Sequence, residues 1–100
     1  MLYYIQVIYV KEGQEEQFNT FESHVLPLLK KYNGTLVYRV RPAKDQVIES
    51  TMGNPYELHL VTFPSRDDFK AYGADKERLQ YLHLKEASIE KVLLIEGGLI

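Results

Sequence analysis

Four residues carry most of the chemical potential of this chain: Arg39, Arg41, Glu57 and His59. They fall in two short runs, Thr35 to Arg41 and Tyr56 to Phe63, whose Val, Tyr, Thr and Leu content suits a pleated sheet. Paired as an antiparallel hairpin, the runs send all four side chains to one face and within cross-strand reach. Two guanidiniums beside a carboxylate and an imidazole can hold a small carboxylate and move a proton. Glu57 and His59 are therefore the candidate catalytic pair, with Arg39 and Arg41 as candidate substrate-binding cations. The same four residues also fit a charge-paired rim of a protein interface, because cross-strand Arg–Glu pairs are common.

Tyr4 and Gln6 on the first strand and His24 on the first helix extend the list of candidate ligand contacts. His24 lies beside an apolar stripe, between Phe21 and Leu28, where it can project into a pocket between helix and sheet or keep its polar edge in water. Other chemistries find no support. His24, His59 and His83 are spread over three elements with no paired-ligand spacing, so no metal site is expected. The chain has no cysteine, which removes disulfides, thiolate ligands and a thiol nucleophile. No glycine loop cradles a phosphate, and Ser23, Ser50, Ser65 and Ser88 lack a nucleophile-elbow context. No tightly bound cofactor is implied.

The elements that must position these residues can be read in order. Leu2 to Val10 is rich in Tyr, Ile and Val and reads as the first strand. Phe18, Phe21, Val25, Leu28, Leu29 and Tyr32 recur at helical steps, with a kink expected near Ser23 to Pro27 and a left-handed stop at Asn33-Gly34. Thr35 to Arg41 is the second strand. Gln46 to Glu49 is a candidate extension of it beyond a bulge, and Met52 to Pro55 is a turn. The third strand, Tyr56 to Phe63, ends at Pro64, and Ser65 caps a second helix, with Asp68 three residues on as in a capping box. That helix breaks at Gly73 and resumes from Asp75 to about Glu86, with Leu79 and Leu82 inward. Ile89 to Ile95 is the fourth strand.

This order predicts one α+β domain spanning residues 1–100: a ferredoxin-like βαββαβ unit with a four-stranded antiparallel sheet and both helices on one face. Leu58 and Leu60 are expected under the helices, with Leu36, Tyr38 and Val40 beside them. Glu57, His59, Val61 and Phe63 then lie on the bare face, together with Val37, Arg39, Arg41 and the Tyr4, Gln6, Ile8, Val10 set. A bare face of roughly 350 Å² with that much apolar content asks for a second copy, so a homodimer closing into an α/β barrel is expected.

Charged residues make up 26% of the chain and the net charge is −2, which gives no general attraction to nucleic acid or anionic lipid. No apolar run approaches the about 20 residues of a membrane span. The start of the chain lacks signal-peptide features, so a cytoplasmic location is the expectation.

The Phe63-Pro-Ser-Arg66 junction, the Pro27-Leu-Leu-Lys-Lys-Tyr-Asn-Gly34 helix ending and the Val92-Leu-Leu-Ile-Glu-Gly97 strand resemble the dimeric α/β-barrel superfamily. Within it, the chain is most similar to a family catalogued as domain of unknown function 1330. The resemblance spans nearly the whole chain but rests on structural motifs. It implies a small-molecule-binding or enzyme-like homodimer, for which a cofactor-independent monooxygenase or isomerase on a small, partly apolar acid fits best. A non-catalytic homodimeric sensor or assembly module is the alternative, since shared fold does not fix function. Haem degradation, also found in the superfamily, fits least. His83 stands where those enzymes bind iron, but Gln6 and Phe63 replace their Asn and Trp, and the chain has no Trp.

Overall fold

The computed structural model describes all 100 residues, and its strands are β1 (Leu2–Val10), β2 (Thr35–Val40), β3 (Glu57–Phe63) and β4 (Ile89–Gly97). They form one antiparallel sheet in the order β2-β3-β1-β4, the ferredoxin-like arrangement. Helix α1 (Glu15–Val25) begins with Glu15 and Glu16 against its positive end. Pro27 lacks the N–H that would continue the α ladder, and the chain winds tighter into a 3-10 segment, Leu26–Tyr32. Asn33 then takes the left-handed conformation at φ 60° and ends it. Gly34 is required by close approach: a Cβ there would sit 2.7 Å from Cε1 of Phe63.

The second helical region comes in three pieces, α2 (Arg66–Gly73), α3 (Lys76–Leu79) and α4 (Leu82–Ser88). Ser65 caps α2 by accepting from the backbone N–H of Asp68 at 3.1 Å. Its hydroxyl donates in turn to Asp68 Oδ2 at 3.2 Å, so the aspartate returns to the side chain, not to the cap backbone, and the capping box is half formed. Asp75 caps α3 through the N–H of Arg78 at 2.9 Å and also accepts from Lys31 Nζ at 2.9 Å and from the Tyr32 hydroxyl. These bonds hold the α2–α3 corner against the 3-10 segment and keep the Asp75 carboxyl well below its ordinary range. Leu79, expected inward, is exposed, and Arg78 lies against Phe21 and Tyr72. Residues Gln46 to Glu49 do not extend β2; Lys44–Gln46 is a 3-10 turn and Ile48 is exposed.

The sheet presents the opposite face from the one expected. Glu57, His59, Val61 and Phe63 are buried under the helices, while Leu58 and Leu60 point away from them. Cross-strand pairing carries Tyr4, Gln6 and Ile8 to the helix side with them, opposite Val61, His59 and Glu57. The reason is twofold. Buried Glu57 and His59 bring their own partners, so a polar pair can occupy a covered face. On β2, an irregularity between Leu36 and Tyr38 adds a residue, so Leu36 faces the helices but Tyr38 and Val40 turn away. Arg39, across from His59, is then on the helix side.

On the uncovered side, Tyr38, Leu60, Ile5 and Ile95 form one row across the four strands. Val40, Leu58, Val7 and Leu93 form the next. The bare face is therefore apolar, with a different set of residues from the one first assigned to it. The chain is a slab of 37 × 35 × 17 Å, with 18 of its residues buried, most of them supplied by the helix side of the sheet, the helices and their junctions; Tyr9 and Thr62 are buried from the other side.

Candidate functional site

Glu57 is the centre of the polar cluster. Its Oε2 accepts from Arg39 Nε at 2.8 Å and lies 2.5 Å from His59 Nε2, while Oε1 accepts from Arg41 Nη2 at 2.6 Å. Burial pushes its carboxyl up, but the bonds from His59, Arg39 and Arg41 outweigh that and hold it down at about 2. An ionised carboxylate has no proton to donate, so Nε2 of His59 must carry the hydrogen of their bond. In the neutral ring Nδ1 is then the acceptor. Arg41 is braced further by Asn19 Oδ1 at 2.9 Å and by the Tyr56 ring at 4.4 Å.

Arg39, Arg41, Glu57 and His59 thus meet on the helix side of the sheet and not on the bare face, with Glu57 and His59 buried and the two arginines exposed at the β2 edge. The two arginines are spent on Glu57. His59 is different, because it lines a recess of about 30 Å³ bounded by Phe21, Val25, Val61, Phe63 and Tyr72. That recess adjoins a chamber of about 300 Å³ over β1 and β4, which opens past Lys70, Lys85, Val92 and Leu94. Gln6, Phe21, Glu22, Phe69, Tyr72 and Arg78 belong to the walls of both. The chamber is large enough for a small organic molecule and mainly apolar, with a few polar groups converging on it, and the recess beside it is about the size of one water.

Three of those polar groups were not singled out from the sequence. Glu22 is 5% exposed and makes no hydrogen bond within the protein; burial raises its carboxyl above the ordinary range. Arg78 leaves its Nε buried without a hydrogen-bond partner. Lys85 is half-buried at the rim, and burial followed by the charge of Arg78 lowers its ammonium. The signal for Glu22 was present: it stands one turn after Phe18 and three residues before Val25, a carboxylate on the apolar stripe of α1. Arg78 gave no such signal, because the break between α2 and α3 changes which residues face inward.

Of the remaining candidates, Gln6 lines the chamber, in one row with Arg39, His59 and Leu94. Tyr4 is packed in the apolar core, stacked on Phe69 at 4.2 Å, with its hydroxyl donated to Glu96 at 2.9 Å. His24 is away from the cluster, exposed on the outer side of α1 and stacked on Tyr81 at 4.1 Å. His83 is exposed on α4. A wider groove of about 450 Å³ lies near Tyr9, Pro42, Lys44 and Pro55, but its one arginine, Arg41, is already committed to Glu57.

No protein-family model and no curated protein matches the chain. Solved structures do. A protein of unknown function from Rhodopseudomonas palustris superposes with a TM-score of 0.81 at 12% identity, over 99% of this chain and 82% of that one. A dimeric protein of unknown function and ferredoxin-like fold from Bacteroides fragilis gives 0.70 at 12% identity, over 98% and 95%. A provisionally assigned antibiotic biosynthesis monooxygenase from Nitrosomonas europaea gives 0.72 at 13% identity, over 98% and 97%. At such identities the likeness is one of fold, and the chain is similar to these ferredoxin-like α+β proteins in architecture.

Proposed function

We propose that the chain binds a small, partly apolar acid in the chamber between sheet and helices and acts on it without a bound cofactor, as a monooxygenase or isomerase. The observation that carries this reading is that Arg78, with a buried Nε lacking a hydrogen-bond partner, and the buried Glu22 line both the chamber and the recess beside it, where His59 forms part of the wall. Arg78, with Lys85 at the rim, suits a carboxylate; Phe21, Ile8 and Phe69 suit an apolar body. His59, its ring fixed through Glu57, suits proton abstraction, which needs only a placed base. The narrower kinship with the unknown-function family 1330 belongs to this proposal, as does assembly into a homodimer through the apolar rows of the bare face.

The test is binding of a library of small carboxylic acids followed by protein NMR, repeated with Arg78→Met. The reading expects affinity to fall about tenfold to a hundredfold in the variant, the worth of a charged hydrogen bond. Failure of every acid to bind the wild type would overturn it. Oxygen uptake with a bound acid separates the monooxygenase from the isomerase.

A second reading, a non-catalytic dimeric sensor, is favoured by one observation: Glu57 is saturated by Arg39, Arg41 and His59, as a structural ion cluster would be. Acid binding without turnover would select it.

A further inference from the structure

We infer that the chamber takes an oxo acid, and that Glu22 and His59 together move its proton between carbon and oxygen in a keto–enol tautomerisation. The inference rests on the small-acid reading and narrows it to one ligand class and one reaction.

It starts from Glu22. A carboxyl that is 5% exposed and has no hydrogen-bond donor of its own is cheaper to bury neutral than ionised. As a neutral acid it is a donor seeking an acceptor oxygen, the role a buried carboxylic acid can fill beside a developing enolate. His59 offers the opposite property. With Nε2–H given to Glu57 at 2.5 Å, its free ring nitrogen is an acceptor, and its ring lines the recess that shares Glu22 as a wall. Arg78 supplies a third feature, a guanidinium edge with its Nε unpaired. One donor, one acceptor and one cation around an apolar space call for a molecule with a carbonyl oxygen, an acidic C–H and a carboxylate. An oxo acid with an apolar tail has all three.

The step balances within these groups. His59 Nδ1 takes the proton from the carbon next to the oxo group, and the C–H electron pair becomes the carbon–carbon double bond. The carbonyl π pair takes the proton of Glu22, giving the enol, an imidazolium and a Glu22 carboxylate. Transfer of the imidazolium proton back to Glu22 restores both residues, and no oxidant or reductant is consumed.

The experiment uses phenylpyruvate, with ketoisocaproate as a second oxo acid, and hydrocinnamate, which has the carbon skeleton of phenylpyruvate without the oxo group. Exchange of the protons beside the oxo group is followed by NMR in heavy water, and hydrocinnamate binding is measured on the same samples. The expected result is exchange accelerated by the wild type and reduced about a hundredfold or more in Glu22→Gln, the usual contribution of a placed proton donor. Hydrocinnamate should still bind Glu22→Gln within a few-fold. If hydrocinnamate binds the wild type but neither oxo acid exchanges faster, the tautomerisation is overturned and the small-acid reading stands. Exchange equally fast in Glu22→Gln overturns the role of Glu22. If none of the three acids binds, the reading beneath fails as well.

Discussion

His59 Nε2 lies 2.5 Å from Glu57 Oε2, two residues away on the same strand, with both side chains almost wholly buried. The bond needs Glu57 ionised, which makes its strength a function of pH. Glu57 titrates at about 2 in the folded chain, against an ordinary value near 4.3. A carboxyl depressed in this way stabilises the fold above its ordinary value, and the contribution is lost as pH falls toward the folded value. Urea unfolding should therefore show a loss of roughly 2–3 kcal/mol between about pH 5 and about pH 2. In Glu57→Gln the fold should be weaker at neutral pH and this slope should flatten. Parallel pH curves for the two proteins would count against the cluster.

Glu22 works in the opposite sense. Burial raises its carboxyl, so its contribution is present at low pH and lost as pH rises through the folded value. Glu22→Gln should thus gain on the order of 1 kcal/mol at about pH 8 relative to about pH 4, by removing a buried charge that lacks a hydrogen bond. A variant that is destabilised equally at both pH values would show that the carboxylate is satisfied after all.

Leu60 and Phe63 separate association from folding. Leu60→Asp places a charge in the middle of the apolar row Tyr38, Leu60, Ile5, Ile95 and should give a folded monomer. Phe63 is fully buried beneath the helices, so Phe63→Asp should unfold the chain. Light scattering with circular dichroism checks both, the wild type being expected at about twice the 11.7 kDa chain mass. A wild-type monomer would remove the homodimer from the proposal.

Ser65→Ala deletes the acceptor at the start of α2 and should cost about 1 kcal/mol. Acid binding should be unchanged, since Ser65 does not line the chamber. An unaltered melting temperature would mean that another group takes the Asp68 N–H.

Gly34→Ala tests the packing of the 3-10 segment against β3. The new methyl would sit 2.7 Å from Phe63 Cε1 and 3.1 Å from Leu29 Cδ2, and relieving that overlap should cost about 1–3 kcal/mol. Thermal unfolding reads it directly; a neutral result would require the Phe63 ring to move aside.

The order of elements was legible in the sequence because each boundary has a local cause: Pro64 after β3, Ser65 before α2, Asn33 after the 3-10 segment. The facing of the sheet was not, because both sides of β3 offer apolar residues and alternation alone cannot rank Leu58 and Leu60 against Val61 and Phe63. The irregularity after Leu36 reverses the alternation of β2 with no glycine or proline to mark it. In the site, the proximity of Arg39, Arg41, Glu57 and His59 follows from strand pairing, a short-range matter. Glu22 and Arg78 reach the same space through helix packing, which depends on how a broken second helix settles on the sheet.

A slab only 17 Å deep leaves the eight side chains of two apolar rows uncovered, and in the homodimer proposed above a second copy of the chain covers them. Stability is then partly a matter of abundance. By mass action each tenfold rise in protomer concentration adds about 1.4 kcal/mol to the assembled form. A cell making few copies would hold a softer protein than one making many, and a mutation tolerated at high expression would be exposed by dilution.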